Sequence, residues 1–451
     1  MIPVKFAQRQ QWVLDNPHVC VLPYSVHHMQ IEFDGQRDVA KQKTTLRNSC
    51  CCNLESDHQL DSLESSADLA SDVKQSMQLG QVNPRCYRCH NSEKQTRTSE
   101  RTMALLSMPP ALLETFVNTL QAPEFTIRIK FSNLCNLACR SCSPTFSSRY
   151  AQTHQLTVPV ELTKDIGSAP DNWNFITSSI VKYLSIYKTI NITLLGGEST
   201  IQPGAIKLLQ WIKEQDLGER VCLDITTNMT VANTSVIHKL PLFKKIHISA
   251  SIDSVGENFE YVRWPAQFQT VVNNFNTTIV DMVKQKHDIT VQPLLNLNNI
   301  FYIVDIVDWW HDWFTSNNID GISIDPVMMF RPHHMTVQNL PAQYRADLVK
   351  CLQLVLVHPM LQDSQPKLKD YLQGILEFAQ TSNIVYDQFE LFLFDTARHD
   401  LANKTKMHIG NKKFYQLLSN KHKTLLDQFY HRLDSNLLPT EQQKIYRNLP
   451  L

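Results

Sequence analysis

Six short segments between residues 125 and 330 alternate apolar and polar residues with the two-residue period of a β-strand. Segments with the helical period lie between them, for example at Ala205, Leu208, Leu209 and Ile212. The predicted strands are 125–131, 192–195, 221–225, 245–252, 289–295 and 321–324. Strands that alternate with helices form a parallel sheet, so the pattern predicts an α/β fold. Six such units are fewer than the eight that close a full barrel.

The segments on either side of this region differ from it in composition. The first hundred residues hold six of the 11 cysteines and are polar between them, which indicates a connecting loop or short helix there. Helical periodicity returns near the C-terminus in three segments, at 342–357, 368–378 and 414–433. We therefore predict a Cys-rich module at 1–105, an α/β unit at 106–335 and a mostly helical extension at 336–451.

Charge and hydropathy argue against several classes of protein. The 451 residues include 43 Lys plus Arg and 43 Asp plus Glu, so the formal net charge is zero. This balance argues against nucleic acid or an anionic membrane as a partner of the chain as a whole. No apolar stretch of about 18 residues is present, and the first residues lack the apolar segment of a signal peptide. We therefore expect a cytoplasmic protein without a membrane-spanning helix.

Three cysteines, Cys135, Cys139 and Cys142, follow the first predicted strand with the spacing C-x3-C-x2-C. In a chain expected to stay in a reducing compartment, such clusters indicate metal binding or catalysis more than disulfides. Thiolates this close in sequence can converge on one site, and soft sulfur ligands suit iron–sulfur clusters or zinc. Three thiolates on a four-iron cluster leave one iron open, and an open position can bind a substrate or cofactor. A zinc site lacking its fourth protein ligand is the alternative.

The second predicted strand ends in Gly196-Gly197-Glu198. Glycine is scarce in this chain, with 11 in 451 residues. A Gly-Gly pair therefore arises by chance less often here than in a chain of average glycine content. Two glycines let the backbone come close to a ligand, and the Glu198 carboxylate can accept hydrogen bonds from an ammonium. The motif predicts a ligand site, and a simple strand-to-helix turn is the alternative.

Polar residues also follow the third and fourth predicted strands. Asn228 ends the third, Ser251 and Asp253 end the fourth, and Arg263 lies 12 residues after Ser251. An arginine is suited to bidentate binding of a carboxylate. Because α/β folds keep their sites at the C-terminal ends of parallel strands, we expect these side chains to share one site with the cysteines. Asn228 and Asp253 are alternatively helix-capping residues.

This order of motifs resembles the radical S-adenosylmethionine superfamily, although that family usually has an aromatic residue where this chain has Ser141. The resemblance implies a partial (β/α)6 TIM-like barrel with a [4Fe–4S] cluster on the three cysteines of the C-x3-C-x2-C motif. It also implies that the Gly-Gly-Glu motif binds the amino group of S-adenosylmethionine. Ser251 and Arg263 would contact the carboxylate of that cofactor, and Asn228 and Asp253 are further candidates.

The same resemblance implies a reaction. One electron, supplied by a donor such as flavodoxin or ferredoxin, would cleave S-adenosylmethionine to methionine and a 5′-deoxyadenosyl radical. That radical would then abstract a hydrogen atom from the substrate. The cofactors carry this chemistry, and the protein supplies position and electrostatics.

The N-terminal cysteines form a second predicted metal site. Cys86 and Cys89 make a C-x2-C clip, and Cys20 with one residue of the triplet Cys50-Cys51-Cys52 would complete four thiolates. We favour Cys51 or Cys52 as the fourth ligand. Four thiolates make a closed site for zinc or an iron–sulfur cluster. The nearby His27, His28 and His90 could also ligate a metal.

The layout of these cysteines resembles a twitch or SPASM-like auxiliary-cluster module, which in one family precedes the barrel. The matching features are the Cys20-x2-Pro23-Tyr24 start, the Asn83-Pro84 pair before the clip, and Ser99-x-Arg101 after it. The chain departs from that family with Tyr24 in place of Trp and with three consecutive cysteines instead of two. The resemblance implies a second iron–sulfur cluster.

We therefore predict a radical enzyme with two clusters. Its predicted substrate is a peptide, because auxiliary modules of this kind are common in peptide-modifying enzymes. A carbohydrate, nucleotide or other small molecule is the alternative substrate. A zinc-binding scaffold without catalytic activity and a simple electron carrier are the alternatives from other classes.

Overall fold

The computed structural model describes residues 2–3, 5–33, 44–49, 71–87, 89–90, 93, 99–156, 163–231, 243, 245–284, 287–319, 321–329, 332–381 and 388–434. The strands in these residues are β1 Val26–Phe33, β2 Thr44–Ser49, β3 Thr126–Lys130, β4 Ile190–Leu195, β5 Val221–Thr227, β6 Lys245–Ala250, β7 Asp288–Val291, β8 Leu294–Leu295, β9 Ile322–Ile324 and β10 Val327–Met328.

The α-helices up to β10 are α1 Phe6–Asp15, α2 Leu22–Ser25, α3 Ser71–Gln78, α4 Glu100–Ser107, α5 Pro110–Thr119, α6 Ser148–Thr153, α7 Pro170–Ile186, α8 Pro203–Glu214, α9 Gly256–Val262, α10 Phe268–Lys284 and α11 Ile303–Asn317. Those that follow are α12 Ala342–Leu356, α13 Pro359–Asp363, α14 Pro366–Thr381, α15 Phe389–Asn403, α16 Met407–Gly410, α17 Lys412–Leu417 and α18 Asn420–Asp434. Among these described helices, none has the length and apolar character that a membrane span requires.

Eight strands form one sheet in the order β2-β1-β3-β4-β5-β6-β7-β9. Its strands are parallel from β1 to β9, and β2 runs antiparallel to β1. The six strands β3 to β7 and β9 lie in the predicted segments, which confirms a parallel α/β fold. The predicted strand 289–295 is divided, because its last two residues, Leu294–Leu295, form β8 outside this sheet. The sheet is wider than the predicted six strands because β1 and β2, from the Cys-rich segment, extend it beyond β3. A separate parallel pair joins β8 and β10.

Strand β5 shows why the alternating pattern forms this sheet. Val221, Leu223 and Ile225 are buried, whereas Asp224 and Thr226 between them are half-buried. Successive side chains of a strand point to opposite faces, so one face of the sheet joins the apolar core and the other carries polar groups. The core face is covered by helices with matching stripes, such as Ile176, Ile180 and Leu184 of α7.

Within the described ranges, the buried apolar side chains form two separate cores. The larger core joins the sheet, its covering helices and the C-terminal helices. The smaller core belongs to the N-terminal segment, where Val13, Cys20 and Met77 pack with Leu113 and Phe116 of α5. The C-terminal helices therefore fold onto the α/β unit, whereas the N-terminal segment has its own core and joins the α/β unit through β1.

Candidate active site

A cavity of about 160 Å³ opens at the C-terminal ends of β3 to β6. Nine of the residues predicted from the sequence line it, and they are Cys135, Cys139, Cys142, Gly196, Gly197, Glu198, Asn228, Ser251 and Arg263. Leu137, Phe146, Thr226 and Thr227 complete the lining. Residues separated by up to 128 positions in the chain therefore meet in one cavity because each follows a parallel strand.

The loop that carries the three cysteines is fixed by main-chain hydrogen bonds. The amide of Ala138 donates to the carbonyl of Trp264 at 2.8 Å, and the amide of Arg140 donates to the carbonyl of Val262 at 2.9 Å. The Ser147 hydroxyl, at the N-cap of α6, donates to the carbonyl of Leu137 at 2.5 Å. These bonds connect the loop to the end of α9 and to the start of α6, so the thiols have defined positions.

The three thiols lie in a poorly solvated environment. Burial raises the pKa of Cys135 and Cys139 above the usual value and raises that of Cys142 to about 12. The positive charge of Arg263 opposes this effect on all three thiols. Buried thiols of this kind stay protonated until a metal replaces the proton, because a coordinating thiol is deprotonated by the metal itself.

The two glycines of the Gly-Gly-Glu motif occupy positions that other residues cannot easily take. Gly196 has φ +74° and Gly197 has φ +54°, both in the left-handed region that favours glycine. A Cβ added at Gly197 would lie 2.1 Å from the carbonyl oxygen of Leu134, and one at Gly196 would lie 2.3 Å from Cγ of Lys130. The glycines therefore allow the loop after β4 to pack directly against the loop after β3.

We expect Gly197→Ala to lower the free energy of unfolding by roughly 1–3 kcal/mol, because extra atoms in a packed site cost about that much. The added methyl group would force the two loops apart by clashing with the Leu134 carbonyl. The midpoint of urea unfolding, followed by circular dichroism, measures the change. Gly256→Ala is the matched control, because Gly256 also has φ +54° but has no atom within 4 Å of the added Cβ. Equal stabilities of the two variants would contradict the steric argument.

The Glu198 carboxylate connects the loops after β4 and β5. It accepts hydrogen bonds from the Asn228 amide at 2.7 Å, the Thr227 hydroxyl at 2.8 Å and the Thr200 hydroxyl at 2.7 Å. Burial raises the pKa of Glu198, and these donors oppose that effect. Thr200 and Thr227 were not predicted as site residues. A hydroxyl residue two positions after a Glu, in the turn at the end of a strand, is a recognisable sequence signal, and Thr200 fits it.

Asn228 holds the turn after β5 next to the cysteine loop. Its side-chain NH2 donates to Asn136 Oδ1 at 3.0 Å, and its Oδ1 accepts from the Thr230 amide at 3.0 Å. Asn136 lies directly after Cys135, so Asn228 both lines the cavity and orders the cysteine loop.

Arg263 in the cavity wall forms an ion pair with Asp253 behind it, and their side chains are 12% and 0% exposed. Arg263 Nε donates to Asp253 Oδ2 at 2.7 Å, and Nη2 donates to Oδ1 at 2.9 Å. Asp253 is fully buried, and its Oδ1 also accepts from the Leu294 amide at 2.9 Å. The structure thus brings Arg263 and Ser251 to the cavity wall, whereas Asp253 orients Arg263 from behind it.

A second buried ion pair ties the cysteine loop to the C-terminal helices. Arg140, which follows Cys139, stacks on the Tyr261 ring at 3.5 Å and pairs with Asp400 of α15, and both charged groups are at most 1% exposed. Its Nη2 also donates to Thr405 Oγ1 at 3.0 Å, and the Tyr430 hydroxyl donates to Asp400. Sequence patterns did not reveal this contact, because 260 residues separate its two partners.

The N-terminal cysteines lie in a different part of the structure, near the buried Arg101. Cys20 is buried in the small N-terminal core, against which Cys86 also packs, and Cys89 is buried. Arg101 donates from Nη1 to the Val19 carbonyl at 2.9 Å, next to Cys20. Cys50, Cys51 and Cys52 lie outside the described residues, so the predicted four-thiolate site stays a prediction.

Arg101 also reaches the segment that follows the C-x2-C clip. Its Nε and Nη2 donate to the two carboxylate oxygens of Glu93 at 2.9 and 2.7 Å. Burial opposes ionisation of Glu93, but hydrogen bonds from His90, Arg101 and Ser99 outweigh it and lower its pKa to about 2. The Ser99-x-Arg101 pattern noted in the sequence therefore acts through Glu93, which sequence reasoning missed.

No three His, Cys, Asp or Glu side chains are close enough to hold a single metal ion in the part of the chain that the structure describes. On a cubane cluster each cysteine binds a different iron, which is a different arrangement from ligands around one ion.

Polar side chains run across the non-core face of the sheet, on the same face of β5 as Thr226 of the cavity wall. His247 Nδ1 lies 3.0 Å from Asp224 Oδ1, and His247 Nε2 lies 2.9 Å from Thr290 Oγ1. Thr290 in turn contacts Ser323 at 3.2 Å. The hydrogen bond to Asp224 raises the pKa of His247, with Asp288 and Asp325 adding negative charge and burial opposing them.

The raised pKa of His247 predicts a pH-dependent contribution to stability. Because the pKa of His247 is raised in the folded state, its contribution to stability is complete at pH values below the unfolded-state pKa of about 6.5. It is lost as the pH rises through the folded-state pKa. We expect Asp224→Asn to lower the pKa of His247 in an NMR titration, with the His247→Gln spectrum identifying the resonance. Asp288→Asn, which removes only a through-space charge, should cause a smaller shift, and a larger one would contradict the assignment.

Comparison with known proteins gives only distant structural likeness. No protein-family model and no curated protein matches the chain. Among solved structures, the chain is similar to anSMEcpe with bound AdoMet at 14% identity and a TM-score of 0.38, over 53% of this chain and 62% of that one. It is similar to Streptococcus suis SuiB bound to S-adenosylmethionine at 14% identity and a TM-score of 0.37, over 67% of this chain and 62% of that one.

A third similar structure is SuiB bound to the precursor peptide SuiA, at 14% identity and a TM-score of 0.35, over 66% of this chain and 61% of that one. The chain thus spans less than two thirds of the length of each of these proteins.

Proposed function

We propose that this chain is a radical S-adenosylmethionine enzyme with its [4Fe–4S] cluster on Cys135, Cys139 and Cys142. One observation carries the proposal: the C-x3-C-x2-C thiols and the Gly-Gly-Glu motif line the same cavity, together with Arg263. A zinc scaffold needs three or four ligands but has no use for two left-handed glycines and an arginine beside them.

The residues of the cavity suit both groups chemically. Thiolates are the usual ligands of iron–sulfur clusters, and the nearby guanidinium of Arg263 offsets the negative charge that three thiolates bring. Gly196 and Gly197 leave the loop surface free of side chains where a Cβ would collide with the neighbouring loop. When bound, the two groups together supply reductive carbon–sulfur bond cleavage and hydrogen-atom abstraction.

The protein's own residues would position S-adenosylmethionine. Arg263, oriented by Asp253, presents its positive charge at the cavity wall beside Ser251, where a carboxylate can be bound. Glu198 holds the turn at Asn228 and offers a carboxylate near the glycines for an ammonium. Leu137 and Phe146 add apolar surface to the lining of the cavity.

We further propose an auxiliary iron–sulfur cluster in the N-terminal segment and a peptide substrate. Both rest on the resemblance of the Cys20, Cys86 and Cys89 pattern to auxiliary-cluster modules. Incubation of the reduced enzyme with a precursor peptide encoded beside its gene tests the substrate, because peptide-dependent 5′-deoxyadenosine is expected. Absence of any peptide-dependent product would favour a carbohydrate, nucleotide or other small molecule.

The decisive experiment for the reaction class is anaerobic reconstitution with iron and sulfide, followed by dithionite and S-adenosylmethionine. We expect bound iron and sulfide, a cluster absorption band and formation of 5′-deoxyadenosine. Tightly bound zinc with no cleavage of S-adenosylmethionine would overturn the proposal in favour of a scaffold.

A further inference from the structure

Lys130 ends β3 and is buried, although it carries a positive charge. Its exposed fraction is 5%, and it lies in register with Leu195, directly before the Gly-Gly-Glu motif. Lysine is almost never buried unless other groups stabilise its ammonium, because burial removes the water that solvates the charge. Lys130 lies outside the sequence motifs, so its burial calls for a structural explanation.

The side chain of Lys130 connects two parts of the cavity wall. Its stem runs along Gly196, where an added Cβ would lie 2.3, 2.7 and 2.9 Å from Cγ, Cδ and Cε of the lysine. Its ammonium donates to the Thr145 carbonyl at 2.9 Å and lies 4.3 Å from the centre of the Phe146 ring. Gly196 and Phe146 both line the cavity. The absence of a side chain at Gly196 therefore leaves the space through which the lysine reaches the segment after Cys142.

These contacts hold the ammonium close to the Cys142 thiol. A turn follows this cysteine directly, since the amide of Phe146 donates to the carbonyl of Ser143 at 3.0 Å. Thr145, which accepts from the ammonium, lies within that turn. Burial raises the pKa of the Cys142 thiol to about 12, and the positive charge of Lys130 is among the influences that oppose the rise. The charge of the lysine thus acts on one of the three cavity thiols.

A cluster bound to these thiols would be sensitive to such a charge. Reduction adds one electron to the cluster and makes it more negative by one charge, and no bond forms or breaks. A fixed cation nearby stabilises the reduced form more than the oxidised form, and poor solvation strengthens this interaction. Net charge is one of the features that set the potential of an iron–sulfur cluster.

We propose that Lys130 raises the reduction potential of the cluster at the three thiols by holding one positive charge beside Cys142. This inference rests on the proposed function. Arg263 also acts on Cys142, but it is ion-paired with Asp253, and the negative charge of that partner partly cancels its effect. Lys130 thereby makes it easier for one electron from a reductant to enter the cluster.

The test is a redox titration of the reconstituted protein with dithionite and mediators. Electron paramagnetic resonance measures the reduced cluster, and the signal that changes when S-adenosylmethionine is added identifies the cluster at the open site. Lys130→Met keeps the stem beside Gly196 and removes the charge. We expect it to lower the equilibrium constant for reduction about tenfold, which is a potential about 59 mV more negative for one electron.

Three further variants separate charge from structure. Lys130→Gln keeps a hydrogen-bond donor but not the charge, so it should lower the potential as Lys130→Met does. Lys130→Arg keeps the charge and should have nearly the wild-type potential. Arg128→Met is the matched control, because it makes the same change in net charge on the same face of β3, two residues or about 7 Å further from the strand end. Its shift should be clearly smaller.

A wild-type potential in the variants without the charge would overturn the inference. So would an equal shift in Arg128→Met, or a potential in Lys130→Arg as low as in Lys130→Gln, because a purely structural role would not follow the charge. Iron content should be equal in all proteins, and Lys130→Gln still tests the charge if Lys130→Met does not assemble its cluster. Failure of the wild type to bind any iron–sulfur cluster would instead overturn the proposed function.

Discussion

Replacing Cys135, Cys139 and Cys142 together by alanine is expected to abolish S-adenosylmethionine cleavage and to remove about four irons per chain, the content of one cubane cluster. All three thiols line the cavity, and they are the only ligands predicted for the proposed open cluster. Anaerobic reconstitution, iron analysis and quantification of 5′-deoxyadenosine in wild type and variant measure both effects. About four irons remaining in the variant would support the auxiliary cluster at the N-terminal cysteines.

The control for this variant is Cys222→Ala/Cys351→Ala, which removes two half-buried thiols that are not among the cavity-lining residues. It should retain the iron content and cleavage activity of the wild type. Circular dichroism should be the same for all three proteins, because the cysteine loop is held by main-chain bonds that alanine preserves. Cleavage that survives in the triple variant would contradict the assignment of the cluster.

Asp400→Ala is expected to destabilise the protein by roughly 3–5 kcal/mol, since it leaves the Arg140 guanidinium buried without its partner charge. Both side chains of this pair are at most 1% exposed, and Asp400 also accepts from the Tyr430 hydroxyl and the Met407 amide. Removing the carboxylate therefore leaves several donors unsatisfied at once. The midpoint of urea unfolding, followed by circular dichroism, should fall clearly in this variant.

Asp305→Ala provides the comparison, because Asp305 pairs with Lys413 at the surface, where the side chains are 37% and 45% exposed. Exposed pairs contribute about 0–1 kcal/mol, so this variant should unfold close to the wild type. Arg140→Met/Asp400→Leu should recover part of the stability lost in Asp400→Ala, because apolar side chains of similar size leave no buried charge. Equal destabilisation by Asp400→Ala and Asp305→Ala would show that the Arg140 pair is not needed for stability.

The parts of the structure that the sequence predicted are those with local causes. The six strands β3 to β7 and β9 were visible because alternation follows from side chains pointing to opposite faces, as in Val221, Leu223 and Ile225. The cavity followed from the same topology, since polar motifs at successive strand ends must meet at one edge of a parallel sheet. Neither inference needed any contact between distant segments to be known.

The parts that could not be predicted depend on long-range pairing. Nothing in the residues around Arg140 marks Asp400 as its partner, because an ion pair has no periodicity to detect. The contact of Asp253 with Arg263 was also not readable from the sequence. The cofactor-binding role suggested for Asp253 stays a prediction. The pairing of β1 with β3 is a third case, since main-chain hydrogen bonds leave little trace in side-chain patterns.

The pairing of β1 with β3 gives the N-terminal segment a second role besides holding cysteines. Five residues of β1, Val26 to Gln30, are in register with β3, the strand that leads into the cysteine loop. Excision of the first 105 residues would turn β3 into an edge strand with unpaired main-chain groups, and such edges invite self-association with another chain. Pairing with β1 thus covers the edge of β3, so a truncated α/β unit is expected to self-associate more readily than the intact chain.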